Sequence, residues 1–457
     1  MSKHTCTTFL AGKKATLDGS TIVCREEDYG NAFNPQRFVV VKADQQPRHY
    51  SSKTTKFEID LPDNPLAYTS TPDADPSAGV FAAGGINQDN VSMTGTETIT
   101  TNARMLSWDP YNEESGLGEE DLVTITLPYI HSAREGVQRV GNLLQKYGTY
   151  ESNALAFGDQ DEVWYLETLG GHHWAAVRIP DDAYVIAPNR LNIDCFDFSS
   201  DDTLCSPDLK DFIDHHSMNP EKGKYNLRKI FGSYTDTDCH YNNPRAWYVQ
   251  TRLSDSHQEP IDQDLPFINH ADHLISISEI NSLMSSHFQD TPFDPYTNKE
   301  APFRSIALNR NLELHILQIR NNVPSDRAAI HWLAFGPNTF NVPVPFFANV
   351  TDTPAAYRDT ESDFNVNQMY WLNHTITALG DRMYHQAMPL VEQMTQKVMA
   401  KTLAIQHQFD HDPSNGRDLQ GKLTECNQQM ATIAQTEAET LLGKLVGLTF
   451  KQERLQY

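Results

Sequence analysis

Residues 3–10 read KHTCTTFL, and Cys6 is the residue around which chemistry can be built. Five residues precede it. If they are removed, Cys6 carries a thiol and a free α-amine on one residue. Such an amine has an intrinsic pKa of about 8, close enough to neutrality to act as general base toward the thiol. Nucleophile and base are then the same residue, and no histidine partner is needed. Downstream, STIVCREED sets Arg25 and Asp28 three apart, where a strand is expected to open into a turn. An arginine near the sulfur favours thiolate. A carboxylate there can hold the α-amine and a substrate ammonium. An exposed ion pair is the plainer role for the same two residues.

Competing chemistries find weaker support. The chain has 18 histidines, and His172-His173, His215-His216, His270 with His273, and His407 with His411 could each supply metal ligands. None sits in an HExxH or in a carboxylate-rich context, so solvated histidines are the better reading and no metal or other cofactor is expected. There is no GxSxG nucleophile elbow and no phosphate-binding GxxxxGK[ST] loop.

A net charge of −24 argues against nucleic acid, which needs a basic surface, and disfavours anionic membranes. No run of 18 apolar residues is present, so no transmembrane helix is expected. The first residues lack an apolar signal core because FLAG meets Lys13 and Lys14 at once, which makes a cytoplasmic location the default. The remaining cysteines, Cys24, Cys195, Cys205, Cys239 and Cys426, form no CxxC and are read as inert thiols.

The elements that must position Cys6 begin with CTTFLAG and STIVC, two short β-branched strands joined by a turn at Asp18-Gly19. RFVVVK follows at 37–42, and GVFAAGGINQDNVSMTGTET predicts two strands with a hairpin at NQDN. Residues 119–147 predict two helices split at Pro128, the second burying Val137, Val140, Leu143 and Leu144 and stopping at Gly148. A second β block runs through NALAFGD, EVWYLETLGG, HHWAAVRI and AYVIAPNRL, with a helical connector at LKDFIDHH and a third block at ELHILQIR and AAIHWLAFG. From about residue 360 the pattern is long helices, with Cys426 on a packing face. Strands, helices, strands and covering helices point to an α+β fold with stacked sheets.

At this point several long segments carry a resemblance. CTTFLAGKKATLDGSTIVCREED, GINQDNVSMTGTETITTN, GLGEEDLVTITLPYIHSAREGVQRVG, the run from YGTYESNALAFGD to VIAPNRLNID, and YNNPRAWY are similar, in this order, to the dipeptidase A family of lactic acid bacteria, cysteine dipeptidases of the N-terminal nucleophile hydrolase group. The similarity runs from Cys6 to about residue 400 and thins over the last helices. The resemblance implies a four-layer αββα sandwich with a helical C-terminal extension: a propeptide of residues 1–5, a catalytic domain over 6–355 and helices over 356–457. It implies catalysis by Cys6 through a thioester and dipeptides as substrates. More distant bile-salt and penicillin V acylases share the nucleophile strand. Their Arg-x-x-Asp is matched by Arg25 and Asp28, their later asparagine by Asn189, and their further arginine by either Arg228 or Arg245. Where they keep a second asparagine this chain has Glu97, which suits a substrate ammonium and leaves the second oxyanion donor to a backbone N–H. An acylase-type amidase and a non-catalytic binding protein on the same fold are the alternatives. A homo-oligomer is also expected, with the C-terminal helices serving as a cap or as its surface.

Overall fold

The computed structural model describes residues 5–30, 33–255 and 257–452, apart from the side chains of Thr96 and Glu97. Strands β1 (Thr5–Ala11) and β2 (Thr21–Asp28) are β-branched and aliphatic at their turn ends, and they lie antiparallel at the centre of a seven-stranded sheet. The later strands of the two large sheets are β3 (Gly84–Ile86), β4 (Ser92–Thr98), β5 (Asn153–Gly158), β6 (Val163–Thr168), β7 (Trp174–Ile179), β8 (Tyr184–Ala187), β9 (Thr203–Cys205), β10 (Ile268–Asn269), β11 (Asn311–Ile319), β12 (Ala329–Phe335) and β13 (Val344–Phe347). The first sheet has the order β10-β8-β1-β2-β11-β12-β13, and a six-stranded second sheet has the order β9-β7-β6-β5-β4-β3.

The side-chain alternation of β1 and β2 explains how the sheets stack. Leu10 and Val23 point to one face and meet Ala154, Ala156, Tyr165 and Val177 of the second sheet. Phe9, Ile22 and Cys24 point to the other and share a core with the C-terminal helices. The outer face of the second sheet, with Leu155, Phe157 and Leu166, is covered by α1 (Glu119–Thr126) and α2 (Ala133–Tyr147). The chain is thus α+β, with two facing sheets and helices on both outsides. Pro128 lies in a single 3-10 turn between α1 and α2, Ser132 caps α2, and Gly148 closes it at φ 71°. Val39–Val41, expected as part of the early β block, pairs instead with Tyr68–Ser70 in a separate two-stranded ribbon.

Beyond α3 (Asn243–Leu253), the helices α4 (Met369–Gly380), α5 (Tyr384–Asp410) and α6 (Gly416–Phe450) complete the chain. Cys426 is fully buried on α6 beside Leu423 and Met430. Among the described residues no helix is long and apolar enough to cross a membrane.

β13 ends the first sheet, and an uncovered edge would present unpaired backbone groups. Asn427 of α6 closes it: its Oδ1 accepts from Phe347 N at 2.9 Å and its Nδ2 donates to Phe347 O at 2.9 Å. One amide side chain thereby reproduces a strand partner. Asn427→Ala leaves a buried donor and a buried acceptor without partners, at a cost of at least about 2 kcal/mol. Urea denaturation should show that loss with an unchanged slope, and an unaltered midpoint would mean that water replaces the amide.

Candidate active site

Cys6 is the second residue of β1, and its side chain turns into the space between the sheets, where it is fully buried with Thr5 attached. Arg25 lies opposite Thr8 on β2 and faces the same way. Its Nη1 donates to Cys6 Sγ at 2.8 Å. The rest of the guanidinium is equally committed: Nε to Thr94 Oγ1 at 2.9 Å, and Nη2 to Glu27 Oε2 at 3.0 Å, Ala83 O at 2.9 Å and Gly95 O at 3.0 Å. Burial works against the Arg25 charge, but Cys6 first, then Glu27 and Glu119, raise its pKa above the ordinary guanidinium value. Arg25 is therefore a fixed cation that favours negative charge on the sulfur.

A second row supports that cation. β11 pairs with β2 so that His315 lies opposite Arg25 and Glu313 opposite Glu27. His315 Nε2 meets Thr94 Oγ1 at 2.8 Å, and Nδ1 meets Glu313 Oε1 at 2.6 Å. Burial lowers the His315 pKa and raises that of Glu313, so a neutral imidazole beside a protonated carboxyl is the favoured pair. Gly84 makes room for it, since a Cβ there would lie 2.9 Å from the imidazole.

The strand does not open into a turn after Cys24. All of Arg25, Glu26, Glu27 and Asp28 remain in β2 and are buried: Arg25 pairs with Glu27, Asp28 with Arg304, and Glu26 accepts from Asn338 Nδ2 at 2.7 Å while burial raises its pKa. Three residues apart on a strand means opposite faces, so Arg25 reaches the sulfur while Asp28 reaches the residue before it. Asp28 Oδ2 accepts from Thr5 Oγ1 at 3.2 Å and pairs with Arg304, and its Oδ1 accepts from Asn311. Thr5 Oγ1 also receives Tyr241 OH at 3.2 Å and Arg310 Nη1 at 3.0 Å.

Of the two competing arginines, Arg245 of α3 is the one beside Cys6. Its Nη1 donates to Cys6 O at 2.5 Å and Thr7 Oγ1 at 2.8 Å, and its Nη2 to Asn189 Oδ1 at 2.8 Å and Asn242 Oδ1 at 2.7 Å. Arg228 is elsewhere, donating to the backbone oxygens of Gln263, Leu265 and Asn192 at 3.2, 2.8 and 2.8 Å. Asn189 follows β8, and its Nδ2 donates to Thr98 O at 3.0 Å, which uses one of the two amide hydrogens. Glu97 pairs with Ala154 through its backbone, and its side chain lies outside the described residues.

Histidines of two of the four pairs are held by neighbouring groups. His172 and His173 both place Nδ1 on Asp109, at 3.0 and 2.7 Å, and His273 pairs with Glu279 at 2.8 Å. No group of three His, Cys, Asp or Glu side chains among the described residues has metal-ligand geometry.

Sequence reasoning missed Thr94, His315, Glu313, Tyr241, Arg304 and Arg310. Their one sequence signal is polarity inside or beside apolar runs, as in NLELHILQI, where alternation puts Glu313 and His315 on a single face.

A thiol near the start of a central strand, held by one arginine at the sulfur and another at its carbonyl, lies buried between two stacked sheets. The comparisons agree on a family: the profile of Peptidase family C69 matches residues 5–397, and the chain belongs to that family. It is 52% identical to dipeptidase A of Lactobacillus helveticus over 460 residues, covering 98% of this chain and 97% of that protein. It is 49% identical to the probable dipeptidase B of Lactococcus lactis subsp. lactis, covering 100% and 98%. A probable dipeptidase of Salmonella dublin is 31% identical over 75% of this chain and 80% of its own length.

The loop carrying Asn189 is fixed from below by Glu167 of β6, whose Oε1 accepts from Asn192 N at 2.5 Å and Oε2 from Ile193 N at 3.4 Å. Burial pushes the Glu167 carboxyl up to about 8 from 4.5, against the pull of those two bonds and of Arg228 and Arg190. A raised folded value means that the native chain binds more protons than the unfolded chain between those limits, so this group lowers stability as pH rises through that window. Glu167→Gln keeps one acceptor oxygen, enough for the shorter bond from Asn192 N, and removes the titration. The urea midpoint of the wild type should therefore fall relative to Glu167→Gln between about pH 5 and pH 8. A constant difference across that range would contradict the assignment.

Proposed function

We propose that this chain is a cysteine dipeptidase of the N-terminal nucleophile type, built on an αββα sandwich and active once residues 1–5 are lost. The observation that carries the reading is the Arg25 Nη1 to Cys6 Sγ contact of 2.8 Å, buried between the two sheets. The names of the relatives supply the substrate class.

In this mechanism the α-amine of Cys6 takes the thiol proton. The sulfur attacks the peptide carbonyl, so a C–S bond forms and the C–N bond breaks. The same amine returns the proton to the leaving nitrogen. Water, activated by the amine, then hydrolyses the thioester and restores the thiol. Arg25 stabilises the sulfur anion, and Asp28, which now holds Thr5 Oγ1, orients the new α-amine. The remaining hydrogen of Asn189 Nδ2, with a backbone N–H, stabilises the oxyanion, a contribution of ~3 kcal/mol per donor. Arg245 positions Cys6 through its carbonyl and Asn189 through its amide oxygen. Glu97 and Asp28 are the carboxylates proposed to read the substrate ammonium, and the cytoplasm is the proposed site of action.

Purified active protein should lack residues 1–5 by intact mass. Cys6→Ala should abolish dipeptide hydrolysis, and Cys6→Ser should lower kcat on the order of a hundredfold or more, since a hydroxyl is a poor nucleophile near neutrality. N-acetylated dipeptides should not be cleaved. Full activity in a chain that retains Met1 to Thr5, or near-normal turnover by Cys6→Ser, would overturn the mechanism. Rapid cleavage of N-acyl substrates would favour an acylase-type amidase.

A further inference from the structure

The side chain of Thr5 sits where three distant parts of the chain converge. Tyr241 OH and Arg310 Nη1 both donate to its single oxygen, at 3.2 and 3.0 Å, while Asp28 accepts its proton. Arg310 Nη2 also donates to Tyr241 OH at 2.6 Å and Nη1 to Tyr29 O at 2.8 Å, which holds both donors in place.

The charges here do not balance. Arg304 is paired with Asp28, but Arg310 bonds only to neutral oxygens and forms no ion pair among the described residues. Its charge is felt nearby: burial pushes Arg304 down to about 9, with Glu26 raising it and Arg310 lowering it further. In a chain of net charge −24, a cation close to Cys6 with no ion pair among the described residues is a feature to be explained. Thr5, Tyr241 and Arg310 are only half-buried, so the slot they form opens to solvent.

We propose that Arg310 and the Tyr241 hydroxyl form the subsite for the free α-carboxylate of the substrate's C-terminal residue, vacated when Thr5 departs. This rests on the proposed function and deepens it. The α-amine of Cys6 must hand its proton to the leaving nitrogen, which is bonded to the carbon under attack, so the leaving residue stands within hydrogen-bond reach of that amine. Thr5 is removed from beside the same amine. Strand alternation puts Thr5 and Cys6 side chains on opposite faces of β1, so the carboxylate and the attacking sulfur do not compete for space. Two donors already aimed at one oxygen suit a carboxylate, and the anion neutralises Arg310. Asp28, which accepts from the same oxygen and is paired with Arg304, is then left to the Cys6 α-amine, and the substrate ammonium falls to Glu97. The carboxylate lies one carbon from the nitrogen that is released, so the subsite measures length. A tripeptide places an amide, not a carboxylate, at that point.

The test uses the mature chain, with its start at Cys6 verified by intact mass, on a dipeptide and on the same dipeptide with its C-terminus amidated. Wild type should prefer the free acid. Arg310→Gln should lower kcat/KM for the acid at least about tenfold more than for the amide, chiefly through KM. Arg310→Lys should recover part of the preference, and Tyr241→Phe should weaken it in the same direction. Equal loss on both substrates, or no loss on the acid, overturns the subsite while leaving the dipeptidase reading intact. If Arg310→Gln does not fold, the acid-to-amide ratio of Tyr241→Phe decides. A wild-type chain that cleaves neither substrate overturns the proposed function, and the subsite with it.

Discussion

The constraint on which the structure depends is the burial of the Arg25 guanidinium in the middle of a sheet. A cation with no access to water is tolerated only when its hydrogens and its charge are all met by the protein. Here the partners come from β1, β2, β4 and the segment before β3. Stacking of the two sheets is therefore tied to the sulfur: if β4 moves, Arg25 loses Thr94 and Gly95 before Cys6 loses Arg25. The same burial makes Arg25 a pre-organised group that does not reorganise when charge develops on the sulfur, which is where such groups act most strongly.

How much of this was legible follows from which residues are neighbours in sequence. Cys6, Arg25 and Asp28 stood out because one short stretch carries a terminal thiol and the next carries its charges. Asn189 and the choice between Arg228 and Arg245 came from resemblance, and only the fold separates the two arginines, by where α3 delivers its first turn. The row behind Arg25 was hidden because Thr94, Glu313 and His315 belong to two strands more than 200 residues apart in the chain. The end of β2 was misjudged for a related reason. Four consecutive charged residues read as a solvated turn, since the cost of burying them is paid by groups that local sequence does not display. The apolar blocks, the break at Pro128 and the glycine stop of α2 depend on local geometry alone, and they were readable.

Strand alternation also divides the contacts around Cys6. One face of β1 and β2 carries sulfur, Arg25 and Glu27 toward the second sheet. The other carries Thr5, Thr7, Glu26 and Asp28 toward Arg245, Arg304 and Arg310. The two faces meet only at the backbone of Cys6, and the proposed proton carrier is that same backbone nitrogen.

The grip of Arg245 on the Cys6 carbonyl has a further meaning for motion. Chain ends are ordinarily the first segments to fray, because they have a single covalent tether and few bonds. If the proposed cleavage makes Cys6 the terminus, that freedom has to be suppressed without side chains on the missing side. The carbonyl of Cys6 and the hydroxyl of Thr7 share Nη1 of one buried guanidinium, and Thr7 lies in register with Glu26 of β2. A newly cut end would thus keep its bonds to the interior, and the terminal residue would behave as the middle of a strand.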